Sequence, residues 1–210
     1  MKKLIFFDFD GTLTEQSSWY LFNTHFGMTP EEDASLFEQY LQVSIDYKGW
    51  MDEITKILKE RGLCTKESVE KFAQTITLRP EAFEAIKMCK NSGYVISILS
   101  GGIKQVILPV VAELGVDHVF TAVELVFDGE GKIESMIDHS DERHAKLVAF
   151  ENVCAEHGVN PEDAIAVGDG GNDVEIFKKT KKGILLGSYE KLKPLAWKQV
   201  QSLSEIKELL

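Results

Sequence analysis

The period of the hydrophobic pattern changes twice along the chain and divides it into three parts. Residues 4–9 are almost continuously apolar and are closed by Gly11-Thr12. A run that short, bounded by a turn, predicts a strand buried on both faces of a parallel sheet. From about residue 15 to 77 the spacing becomes helical, with no strand-like run of Val and Ile. A first helix is expected over 19–26. A second starts at Pro30 and carries Ala34, Phe37, Leu41 and Ile45 on one face. Trp50, Ile54, Ile57 and Leu58 mark a third, ending near Gly62, and Thr65 reads as the N-cap of a fourth that reaches toward Ile76.

After Arg79-Pro80 the pattern alternates between buried strands and amphipathic helices. Helices are expected over 80–91, 103–114 and 143–157, the last capped by Asp141. Strands are expected over 94–99, 119–121, 164–167 and 183–186. Residues 123–127 and 132–137, around Asp128-Gly129-Glu130-Gly131, read as a half-exposed β-hairpin. A helix to about Thr180 follows Asp173, and helical patterns over 192–197 and 203–210 close the chain. The expected architecture is α/β: a doubly wound parallel sheet with an α-helical cap inserted after the first strand and a small β-hairpin insertion. Residues 1–14 plus 78–210 form the expected core domain, and 15–77 the expected helical cap domain.

Composition narrows the partners. The 210 residues carry a net charge of −11, which argues against nucleic acid or an anionic membrane, because both need basic patches. Small anionic substrates remain open, since a metal and one lysine invert the field locally. No apolar run approaches the ~20 residues of a membrane span. Cys64, Cys89 and Cys154 are odd in number and match no metal pattern, so reduced thiols in a cytoplasmic protein are expected. The five histidines are scattered, and none is assigned to metal.

Candidate chemistry concentrates at three strand ends: Asp8-Phe9-Asp10-Gly11-Thr12, Ser100-Gly101-Gly102, and Gly168-Asp169-Gly170-Gly171-Asn172-Asp173. A buried strand excludes charge along its length, so Asp8 and Asp10 belong at its carboxyl tip, where open α/β sheets bind ligands. In a parallel sheet the three tips share one edge. There the aspartates offer hard oxygen ligands, while Ser100 and the N–H groups beside the glycines suit an anion. Acids beside anion donors require a cation between them, and Mg²⁺ is the expected ion.

In this order and spacing the motifs, with a lysine in the helix before the last one, resemble the haloacid dehalogenase superfamily, in the branch that includes phosphoserine phosphatase. The resemblance spans nearly the whole chain. It implies a Mg²⁺-dependent phosphatase acting on a small-molecule phosphate monoester through an aspartyl-phosphate. Asp8 is then the nucleophile and Asp10 the general acid and base, its backbone carbonyl also a metal ligand. Asp8 and Asp169 bind the metal, Ser100, Gly101 and Asn172 the phosphate, and Asp173 orients the lysine. That lysine is expected to be Lys146, with Lys104 as the alternative. The chain departs from the branch in the cap. The glutamate expected some seven residues past the general acid is replaced by Ser17, and residues 50–59, where an arginine is expected, offer only Lys56 and Lys59. An aromatic-walled cap pocket, drawing on Trp19, Tyr20, Tyr47 and Trp50, and another phosphorylated alcohol (phosphocholine-type, sugar or lipid-derived) are therefore alternatives, as is a phosphomutase. A receiver-like phosphoacceptor module lacks the helical insert. No membrane or nucleic-acid partner is expected, and either a monomer or a homodimer fits.

Overall fold

The computed structural model describes residues 2–138 and 141–210. Its strands are β1 (Lys3–Phe7), β2 (Tyr94–Ile103), β3 (His118–Phe127), β4 (Ile133–Asp138), β5 (Ile165–Gly168), β6 (Lys182–Leu186) and β7 (Lys198–Val200). They form one sheet in the order β4-β3-β2-β1-β5-β6-β7. The chain lays β2 and β3 on one side of β1, then crosses over to lay β5, β6 and β7 on the other. The order reverses at β1, and the crevice beyond the carboxyl ends of β1 and β5 is where such sheets bind ligands.

β1 is apolar throughout its buried length because both faces are covered. Ile5 and Phe7 join one core, and Leu4 and Phe6 join the other. The second core contains Phe150 and Cys154 of α7 (Glu142–His157) and Ile176 and Phe177 of α8 (Val174–Lys179). The first contains residues of α5 (Ala82–Asn91) and α6 (Lys104–Val111). It continues without a break into the helices that follow β1.

Those are α1 (Ser18–His25), α2 (Pro30–Leu41), α3 (Tyr47–Arg61) and α4 (Lys66–Ala73). Their ends follow from local chemistry. Thr29 and Glu32 form a reciprocal capping box ahead of Pro30, Asp46 caps α3, Gly62 ends it in the left-handed region, and Thr65 caps α4. None of α2 is buried, since it packs on its neighbours by one edge and leaves Phe37 and Leu41 exposed.

Three expectations need correction. The sheet is mixed rather than wholly parallel: β3 pairs parallel with β2 on one edge, then antiparallel with β4 on the other. The short strand and the first arm of the hairpin are thus one continuous β3, and the hairpin is the edge of the main sheet. Its loop also holds the helical insertion, through Lys66 N–H to Gly131 O at 2.8 Å and Ile133 N–H to Cys64 O at 3.0 Å. Residues 192–210 contain no α-helix. Pro194 limits the first stretch to a 3₁₀ turn (Lys193–Leu195), and β7 follows as a short edge strand with only Val200 buried. Leu203 and Ile206 are buried at the three-residue period of a 3₁₀ helix, not the 3.6 of an α-helix. Finally, β2 runs on through Ser100, Gly101 and Gly102 to Ile103, past its expected end at residue 99. The three cysteines are buried, and no disulfide joins them.

Candidate active site

The tips of β1, β2 and β5 are neighbours, so their polar residues surround one cavity of about 510 Å³. Asp8 directly follows β1, and its backbone N–H donates to Val167 O of β5 at 2.9 Å, extending the sheet by one bond. Lys146 comes up from α7. Its Nζ donates to Asp8 Oδ1 at 2.9 Å and to Asp173 Oδ1 at 2.7 Å, and the lysine is 0% exposed. Lys104 lies elsewhere, paired with Glu124 at 3.0 Å. Of the two candidates, only Lys146 joins the aspartates.

Asp10 turns away from Asp8. Its Oδ1 accepts from Ser18 N–H at 2.8 Å and its Oδ2 from Ser18 Oγ at 2.9 Å. Ser18 opens α1, where backbone N–H groups have no helical partner. Asp10 thereby ties the strand tip to the first inserted helix. Asp169 accepts from Thr12 Oγ1 at 3.0 Å. Gly11 has φ +76°, and a Cβ there would overlap the Asp169 carboxylate, so the turn requires glycine for both reasons. Arg79 fixes that turn by donating to Gly11 O at 3.0 Å and Thr12 O at 3.1 Å.

Ser100 Oγ accepts from Gly102 N–H at 3.0 Å. Gly101 O accepts from Trp19 Nε1 at 3.2 Å, so α1 is tied to the end of β2 as well as to the tip of β1. Gly101 has no room for a side chain, because the Glu142 carboxylate lies against it. Asn172 lines the same cavity as Ser100, Gly101, Asp8, Asp10 and Asp169. Asp173 and Lys146 lie below it, both buried.

Burial dominates the electrostatics. It raises the Asp8 carboxyl well above the ordinary range, Asp173 raises it further, and Lys146 opposes both. Burial raises Asp10 to about 6 against the two Ser18 hydrogen bonds. Asp169 is raised to about 6 by burial and then by Asp173. Burial opposes the charge on Lys146, but Asp173 and Asp8 together outweigh it, so the ammonium is held more firmly than usual. Four aspartates thus face one lysine. Oxygen atoms of Asp8, Asp169 and Asp173 all lie within 4.8 Å of one another. This all-oxygen donor set, with no histidine or cysteine in it, fits a hard divalent cation.

Several residues here lie outside the motifs. Ser18 and Arg79 hold the turn after β1 together with Thr12, and Glu142 and Arg143 line the cavity from the first turn of α7. Glu142 is raised to about 7, chiefly by burial. A helical count signals these last two, because they precede Lys146 by four and three residues and share its side of the helix.

The mixed sheet thus gathers four aspartates and a lysine at one edge, around a cavity whose oxygen donors fit a divalent cation. The model of haloacid dehalogenase-like hydrolases matches residues 5–178, and the chain belongs to that family. It is 33% identical over 180 residues to a phosphoserine phosphatase of Methanocaldococcus jannaschii, covering 85% of this chain and 82% of the relative. A phosphoserine phosphatase of Archaeoglobus fulgidus is 31% identical across 93% of this chain, which spans 55% of that relative's length. Among solved structures, a phospho-aspartyl intermediate analogue of a phosphoserine phosphatase superposes with a TM-score of 0.83 at 29% identity, covering 100% of this chain and 99% of the other. A substrate-bound phosphoserine phosphatase superposes with 0.84 at 28%, with the same coverage. The chain is of the phosphoserine phosphatase-like branch and is a phosphoric monoester hydrolase.

Proposed function

We propose that this chain hydrolyses the phosphate monoester of a small alcohol, with Asp8 as nucleophile and Mg²⁺ as the resident cation. Helices α1–α4, within residues 15–77, act as the cap over the cavity. The observation that carries the reading is the placement of Lys146. It binds Asp8 Oδ1 and leaves Oδ2 without a hydrogen bond from any described residue, so one oxygen is anchored while the other remains free to attack.

Asp8 Oδ2 forms the bond to phosphorus as the ester oxygen leaves, giving an aspartyl-phosphate. Asp10, whose raised pKa of about 6 keeps a proton within reach near neutral pH, gives that proton to the departing alkoxide. In the second half, the Asp10 carboxylate takes a proton from the water that attacks phosphorus. Inorganic phosphate leaves and Asp8 is restored. Ser100, Gly101 and Asn172 hold the phosphate oxygens. Mg²⁺, held by Asp8, Asp169 and the Asp10 backbone carbonyl, would supply neutralisation of the phosphate charge. Turnover of p-nitrophenyl phosphate with Mg²⁺ and release of free phosphate test the reading. Retention of the group in an organic product would indicate a mutase instead.

The relatives' phosphoserine is the first substrate to try. Ser17, at the position expected to carry glutamate, caps α1 through Tyr20 N–H, and Lys56 pairs with Glu53 at 3.5 Å on the surface. Neither residue supplies the recognition expected of the cap.

Asp10→Asn should separate the two half-reactions. Hydrolysis of an alkyl phosphate should fall by about 10²–10⁴-fold, the usual worth of a positioned acid or base. With p-nitrophenyl phosphate, whose leaving group needs no proton, labelled phosphoenzyme should still form and then persist. The absence of any labelled protein would contradict the assigned role.

The cation should reveal itself through pH. Asp10 and Asp169 bind protons more tightly folded than unfolded. The metal-free protein therefore loses stability as pH rises from about 4, the unfolded value, through about 6, the folded value. Mg²⁺ binds the deprotonated carboxylates. Its gain in Tm should be small near pH ~5 and clearly larger near ~7.5, read by thermal melts in Mg²⁺ against EDTA. Equal gains at both would count against a carboxylate site.

A further inference from the structure

The far end of α7 carries a second group of metal-ligating side chains, which the phosphatase reading does not use. His157 closes that helix about three turns beyond Lys146, roughly 16 Å along the axis. On the facing strand, His118 begins β3 and shares a face with Phe120, which packs against the core that holds Phe150 and Cys154 of α7. His157 lies three residues past Cys154, on the same side of the helix. The two imidazoles therefore meet where β3 starts and α7 stops. Their Nε2 atoms are 2.8 Å apart, although the residues are 39 apart in the sequence, a spacing that no motif records. Glu156 completes a group whose three ligand atoms all lie within 4.8 Å of one another. Both histidines are half-buried and Glu156 is exposed, so an ion can reach them from solvent.

Two ring nitrogens that close need a proton or a metal between them. Lys2 Nζ lies 3.0 Å from His157 Nδ1, and an ammonium only donates. With neutral rings, His157 then carries its proton on Nε2 and donates it to His118 Nε2. We propose that His118, His157 and Glu156 form a second metal site, for a first-row dication of the nickel, copper or zinc type. Two imidazoles and one carboxylate suit such ions, whereas Mg²⁺ keeps to oxygen donors. Metal bonds of about 2.0–2.1 Å set two nitrogens roughly 2.9 Å apart at a right angle and roughly 3.3 Å apart at the tetrahedral angle. The observed 2.8 Å is close to the first, so square-planar or octahedral Ni²⁺ and Cu²⁺ fit with the least movement. Glu156 has only to turn its exposed side chain inward, and water fills the remaining positions. On binding, the His157 ring gives up its Nε2 proton and takes one on Nδ1, with no net proton released. Lys2 must then withdraw, so the metal and the lysine compete for one ring. The bound ion clips the start of β3 to the end of α7, at the opposite end of that helix from the aspartates.

The probe is Ni²⁺, titrated calorimetrically into the untagged chain with excess Mg²⁺ present to occupy the carboxylates. Wild type should take up one equivalent, and a hundredfold excess over Kd should raise Tm by about 5–10 °C. His118→Gln and His157→Gln should each weaken that binding by at least about tenfold, the least that even an indirect partner of a metal ligand costs. Glu156→Gln, a change at an exposed position, should weaken it as well. Lys2→Ala should tighten it, because the competing ammonium is gone. Absence of Ni²⁺ binding by wild type overturns the proposal, and so does binding that neither histidine variant changes. Binding weakened by Lys2→Ala also overturns it, since that indicates a loss of local structure rather than of ligands. None of these readings involves turnover, so the site stands or falls apart from the phosphatase reading.

Discussion

Asp8→Asn leaves no measurable turnover of a phosphate monoester and no labelled phosphoenzyme, a loss on the order of 10⁴-fold or more, as expected when a covalent nucleophile is removed. The amide has the size of the carboxyl group, so the cavity keeps its shape, but its oxygen cannot form the bond to phosphorus. The fold should not suffer. Asp8 is 4% exposed and lies among like charges on Asp173 and Asp169. A neutral amide relieves that repulsion, and Lys146 still keeps its bond to Asp173 at 2.7 Å. The metal-free variant is expected to melt at or above the wild-type temperature. This pairing of lost chemistry with retained stability separates a nucleophile from a structural acid. Residual hydrolysis above about one part in 10² in Asp8→Asn, with the wild-type metal dependence, would remove Asp8 from its role.

Much of this site was legible because backbone rules fix where strand tips lie. Asp8, Ser100 and Asp169 each follow or end an apolar run, and parallel strands place such ends on one edge whatever the side chains do. Lys146 was harder. Its place in α7 follows from spacing, but total burial could not be read from a helix with charged residues on either side of it. Arg143 and Glu142 were missed because the motifs single out only Lys146 in α7, although a count of three and four residues back along the helix places both on its side. The mixed edge of the sheet was hidden for another reason. β3 uses one edge for β2 and the other for β4, and the alternation of a strand records which face is buried, not which edge is paired. β7 has one buried residue in three, too little pattern to register.

Lys146→Ala should produce the largest loss of stability of any single change at the site. The lysine is fully buried and holds two buried carboxylates at 2.9 and 2.7 Å. Removing the cation leaves both in a desolvated place, and breaking a buried pair from one side costs about 3–5 kcal/mol. For a chain of this length, each kcal/mol corresponds to roughly 2–4 °C in Tm. The deficit should depend on pH with a definite sign. Without Lys146, Asp8 loses the group that opposes the upward push of burial and of the Asp173 charge and holds its proton still more tightly in the folded state, so the variant loses stability relative to wild type as pH rises and recovers it as pH falls. Lys146→Ala combined with Asp173→Asn tests the electrostatic origin directly. Neutralising the second acid should return part of the lost stability, most visibly above pH ~7, while hydrolysis stays absent because nothing orients Asp8. If the double variant were no more stable than Lys146→Ala at any pH, the loss would come from the cavity left by the side chain rather than from its charge. Lys146 would then be a packing residue beneath the site, and the case for an anchored Asp8 would fail with it.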